Sequence, residues 1–166
     1  MMKVIIDKNL FNKSIAETKL QLAEWLLDHN CPYDDTSYLQ NFNLEILGWL
    51  KSKNIAMSKN CLSNVIDKTI DKVIIEWFIK NGAVINSESF HSCIRNSSNE
   101  NLWDLLKRSK LNLTIDHLKT AILYENIEVL DYIYGKGIRP DETIIEVAMK
   151  NQKRISLKWL IKNNLF

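Results

Sequence analysis

Histidine and cysteine are the residues of this sequence best suited to chemistry near neutral pH, and it holds three of each. Imidazoles and thiolates bind metal ions, or act as base and nucleophile, when they converge in space. His91 and Cys93 come closest, but positions two apart on a helix point about 200° away from each other and cannot share an ion. That spacing makes Cys93 a small core residue and His91 a surface side chain. His29, His117 and Cys31 have no acidic or thiol partner at ligand spacing. Gly135-Lys136-Gly137 lacks the upstream strand and the Gly-x-x-x-x-Gly-Lys-Ser/Thr spacing of a phosphate loop. No Ser/His/Asp set or carboxylate pair recurs. These residues predict no enzyme, no cofactor and no metal, and the five tryptophans read as core packing rather than a stacking platform.

The elements that carry these residues follow from composition and periodicity. A chain of 166 residues with 46% hydrophobic and 25% charged content fits one globular domain or one short repeat array. A net charge of +2 does not announce a nucleic-acid binder. With 4 Gly and 2 Pro, a turn-rich all-β fold is excluded. An odd, sparse cysteine set points to a reducing compartment. The short apolar run after Lys3 is too brief for a signal peptide, and no run of 18 apolar residues predicts a membrane span. An intracellular, soluble protein is expected.

An internal repeat organises the chain. Bulky pairs recur at Trp25-Leu26, Trp49-Leu50, Trp77-Phe78, Leu105-Leu106, Tyr132-Ile133 and Trp159-Leu160, spaced 24, 28, 28, 27 and 27 residues apart. Five positions after each stand Asn30, Asn54, Gly82, Lys110, Gly137 and Asn164, five of which tolerate the left-handed conformation that closes a helix. An apolar residue follows each: Cys31, Ile55, Ala83, Leu111, Ile138 and Leu165. Asp7, Asp34, Ser58, Asn86, Thr114 and Asp141 are helix N-caps in one register. Four residues later come Phe11, Tyr38, Leu62, Phe90, Leu118 and Ile145, the first core-facing positions. The pattern predicts six helix pairs in a single domain over 1–166, with units at approximately 7–33, 34–57, 58–85, 86–113, 114–140 and 141–166. The short interval of 24 predicts a shortened first helix in the second unit.

The segments Leu26-Leu27-Asp28-His29-Asn30-Cys31-Pro32-Tyr33-Asp34-Asp35 and Trp77-Phe78-Ile79-Lys80-Asn81-Gly82-Ala83 resemble the ankyrin repeat, whose second helix ends in a leucine-rich turn followed by Asn-Gly-Ala. More narrowly, Leu44-Glu45-Ile46-Leu47-Gly48-Trp49-Leu50 and Cys31-Pro32-Tyr33-Asp34-Asp35 are similar to the divergent ankyrin-like arrays of giant DNA viruses of amoebae. The resemblance spans about Asp7 to Phe166. It implies an all-α, ankyrin-like solenoid of about six stacked helix-turn-helix units. The 27- or 28-residue period falls short of the ordinary 33. It implies β-hairpins shortened or absent.

The resemblance also implies a non-enzymatic protein–protein interaction module, viral, binding a host or viral protein in the host cytoplasm or nucleus. His91, Lys119 and Glu146 share one register position and form one candidate partner-binding row; Tyr33, Asn112 and Arg139, in or beside the loops after the second helices, form another. Two alternatives stand beside this reading. One is nucleic-acid binding through Lys107, Arg108, Lys110 and the basic C-terminal helices (Lys150, Lys153, Arg154, Lys158, Lys162), made doubtful by the interleaved acids. The other is a self-assembling structural protein, since an array without strong end caps stacks on itself.

Overall fold

A computed structural model describes residues 6–69, 71–96, 104, 107 and 111–165. Among them are ten α-helices, one 3-10 helix and no strand. The chain divides into two compact units, Met1–Val84 and Ile85–Phe166.

In the first unit, α1 (Lys8–Ala16) pairs with α2 (Leu20–Asp28), a 3-10 helix (Asp35–Leu39) precedes α3 (Leu44–Ser52), and α4 (Cys61–Lys68) pairs with α5 (Lys72–Lys80). The first helices lie side by side, with the 3-10 helix between α1 and α4. Shortening of the second unit has therefore reduced its opening helix to five residues of 3-10 geometry. In the second unit, α6 (Ser87–Arg95), α7 (Ile115–Leu123) and α9 (Glu142–Lys150) form the same kind of row. α8 (Ile127–Gly135) and α10 (Arg154–Lys162) pair with α7 and α9 and pack on each other. The expected second helix of the fourth unit, with Trp103, Leu105, Leu106, Arg108 and Lys110, lies outside the described residues apart from Asp104 and Lys107.

Local chemistry explains the boundaries. The carboxylates of Asp7, Asp34 and Asp141 accept the N–H groups of Leu10, Thr36 and Ile144, and Asn86 closes a reciprocal capping box with Ser89. Ser58 is the exception. Its hydroxyl bonds the Asp35 carboxylate, and α4 starts only at Cys61, behind Asn60. Asn43, Asp71 and Asn126 cap the second helices α3, α5 and α8.

Every described residue at the predicted closing position is left-handed: φ is +57° at Asn30, +58° at Asn54, +99° at Gly82, +90° at Gly137 and +56° at Asn164. In three of these turns the next N–H reaches back to the helix, Cys31 to Leu26, Ala83 to Phe78 and Leu165 to Leu160, all within 3.0 Å. A second left-handed closure separates the two helices of a pair at Thr18, Glu125 and Gln152.

Phe11, Tyr38, Leu62, Phe90 and Leu118 are buried as expected, while Ile145 is half-buried. The marker pairs need correction. Their second members, Leu26, Leu50, Phe78, Ile133 and Leu160, are fully enclosed, whereas Trp49, Trp77 and Tyr132 are half-buried and Trp25 is exposed. At these four positions the first member sits at the rim of the helix face, 100° from the core-facing residue beside it, whereas Trp159 is buried.

Candidate binding surface

Loops that follow the second helices present a repeated, solvent-facing position. Pro32, Ala56, Val84, Asn112 and Arg139 occupy it, and all five are exposed. Each stands one residue beyond the apolar residue that folds back on the stack. Cys31 donates its thiol to the Asp7 carbonyl at 3.2 Å, and the Ile55 carbonyl accepts the Tyr38 hydroxyl at 2.9 Å. The first two loop tips are thus anchored one residue before their variable side chains.

Grooves run between successive loops. In the first unit, Tyr33, Asp34, Asp35, Ile55, Ala56, Met57 and Ser58 line a groove of about 300 Å³. Its Asp34 carboxylate bonds Lys8 at 2.7 Å, and that ammonium, with the Thr36 hydroxyl, holds the carboxyl below the usual range. In the second unit, Lys107, Leu111, Asn112, Leu113, Tyr132, Lys136 and Ile138 line a groove of about 370 Å³. Lys136 lies over the Tyr132 ring at 5.3 Å, and Lys107 bonds Asp104 at 2.8 Å, which raises its pKa. One groove carries carboxylates, the other ammonium groups. Arg139 stacks on the Tyr134 ring at 3.8 Å while donating to the Tyr134 carbonyl, so its guanidinium is held in place.

The helix-face candidates divide. Lys119 and Glu146 are exposed, but His91 is half-buried: its Nδ1 bonds the Thr120 hydroxyl at 2.8 Å and its ring stacks on His117 at 4.5 Å and 14°. The surface position expected for His91 is thereby corrected; the imidazole turns toward the next helix pair instead of water.

His117 is a buried residue that sequence reasoning left without a partner. The Thr114 N–H donates to its Nδ1 at 3.0 Å, so that nitrogen is an acceptor, and the proton on Nε2 points to the Ser87 hydroxyl at 2.9 Å. It is a neutral capping imidazole, and burial together with the neighbouring His91 pushes its pKa down to about 4. Burial also lowers the His91 pKa. The available signal was the register: His117 stands three residues after the Thr114 cap, where a capping box needs an acceptor.

The three thiols are buried and unlinked. Burial raises all three pKa values, Cys61 to about 12, and so disfavours the thiolate form. Gly137 serves a helix closure, and α8, not a strand, precedes it. Among the described residues no three His, Cys, Asp or Glu side chains converge as a metal site, and no helix is long and apolar enough to cross a membrane. No protein-family model and no curated protein matches the sequence.

Proposed function

We propose that the chain is a divergent ankyrin-like array that binds a protein partner through the loop side of its helix pairs, catalysing no reaction. One observation carries this reading. Pro32, Ala56, Val84, Asn112 and Arg139 share one exposed register position and differ in chemistry, while Cys31, Ile55 and Ala83, just before the first three, are buried and each follows a left-handed helix closure. A partner meeting preordered side chains forgoes less conformational entropy on binding. Tyr33 and Asn112 line the two grooves, which supports the loop row over the helix-face row, where His91 is already engaged. Buried free thiols suit a reducing compartment. The viral resemblance adds a host or viral protein as partner, met in the host cytoplasm or nucleus.

The test is affinity capture from amoebal lysate, with and without nuclease, comparing Tyr33→Ala/Asn112→Ala/Arg139→Ala with His91→Ala/Lys119→Ala/Glu146→Ala. Loss of a nuclease-resistant protein partner from the first variant alone is the expected result. Recovery only of RNA or DNA would replace the reading with nucleic-acid binding. Equal capture by the first variant and the parent would move the surface elsewhere.

A further inference from the structure

The register supplies an internal control for every position of a helix pair, and it sets the first and last pairs of the chain apart. Some positions face the preceding pair. His117 bonds Ser87, Ser156 donates to the Ile122 carbonyl at 2.8 Å, and Trp159 donates its indole N–H to Asp131 at 2.7 Å. The same positions elsewhere within each unit are closed: Ser37, Cys61 and Ile144 in the first row, Ile46, Ile74 and Val129 in the second, are all buried. In the first helix pair these positions hold Leu10, half-buried, Leu22, 37% exposed, and Trp25, 47% exposed against 5% for Trp159.

Other positions face the following pair. Phe90 meets His117 edge-on at 5.0 Å, Tyr38 meets Phe78 at 5.8 Å, and Tyr134 meets Trp159 at 5.5 Å. Ile15, Ile94 and Ile122, and likewise Ala23, Leu47 and Leu130, are buried in their rows. In the last pair the corresponding residues are Ile145 and Leu157, half-buried, Met149, 54% exposed, and Ile161, 58% exposed. The face of the first helix pair and the face of the last therefore keep the apolar residues of an internal contact.

We propose that these two faces bind each other between copies of this chain, so that Leu10, Leu22 and Trp25 of one molecule cover Ile145, Met149, Leu157 and Ile161 of another. The contact continues the packing already present between neighbouring pairs, which is what commits each face to a second copy. Lys158 stands at the register position of Asp131. Stacking therefore brings its ammonium to the Trp25 indole, a cation–π contact in place of the Trp159–Asp131 hydrogen bond. Because the two faces differ, the interface is heterologous, and each added copy leaves one face of each kind open for growth.

Sedimentation velocity of the full chain, with Trp25→Glu and Met149→Glu variants, tests this. The parent is expected to gain mass with concentration beyond 19.4 kDa and past a dimer. Each variant alone is expected to stay at 19.4 kDa. Their equimolar mixture, which retains one intact face of each kind, is expected to stop at a heterodimer. Both substituted residues already face solvent, and Leu22→Glu with Ile161→Glu repeats the test if either variant loses its helical circular dichroism. A parent that remains monomeric, or a mixture no heavier than its separate variants, overturns the proposal.

Discussion

The two compact units follow one register but join their helix pairs with different polar chemistry. In the first, Asn12 bonds Thr36 and Ser37 at 3.0 and 2.7 Å, Lys8 bonds Asp34, and the buried Tyr38 hydroxyl reaches the Ile55 carbonyl. In the second, the corresponding links run through imidazoles, His117 to Ser87 and His91 to Thr120. Ser37 and His117 hold the same register position, one residue before the core. A hydroxyl there keeps its hydrogen bonds across the ordinary pH range, whereas an imidazole carries a proton-dependent charge. The same scaffold can therefore be indifferent to mild acid in one unit, where the paired Asp34 carboxyl is held below the usual range, and sensitive in the other.

The largest expected effect concerns packing shared by both units. Phe78→Ala should cost about 3–5 kcal/mol in urea unfolding, the usual range for a fully enclosed aromatic. Trp77→Ala, at the rim, should cost about half of that. Equal losses would show that rim and core positions are energetically alike.

Acid comes next and separates the units. The folded pKa of His117 lies below the unfolded value near 6.5, so its contribution is complete above that pH and is lost as pH falls from 6.5 through about 4. The loss is on the order of 3 kcal/mol, at about 1.4 kcal/mol per pH unit. Amide hydrogen exchange should show α7 losing protection between pH 6.5 and 4 while α4 keeps it. His117→Gln should flatten that dependence, and a parallel loss in α4 would contradict the comparison.

Tyr38→Phe probes the first unit in the same way. It leaves the Ile55 carbonyl without its buried donor and should cost about 1–2 kcal/mol, with no pH dependence below 8. The smallest effect is a gain. Gln152 holds φ at +52°, a conformation that disfavours side chains bearing Cβ, so Gln152→Gly should raise stability by up to about 1 kcal/mol in thermal unfolding. Gly82→Ala, at φ +99°, should do the reverse.

Much of this architecture was legible because caps and left-handed closures depend on residue type. Asp7, Asn86 and Asp141 sit where their short side chains reach a backbone N–H, and Asn30 and Gly82 where φ turns positive. Thr18, Glu125 and Gln152 were illegible for the converse reason: nothing in their side chains favours the conformation that packing imposes. Trp25, Trp49 and Trp77 misled because size suggests a core, whereas the helix angle gives the core to the next residue; Trp159 is buried as expected. The loop candidates Tyr33 and Asn112 could be located from the register alone. The His91–His117 stack could not, because it joins side chains from two helix pairs.

Burial of the cysteines has a kinetic consequence. Cys31 and Cys61 belong to the first compact unit and Cys93 to the second, and each thiol is sealed until its surroundings open. A maleimide or disulfide reagent added to the native protein would react only during such openings. The labelling rate at each site, resolved by mass spectrometry, becomes a clock for fluctuations of that region, with three timekeepers already in the chain.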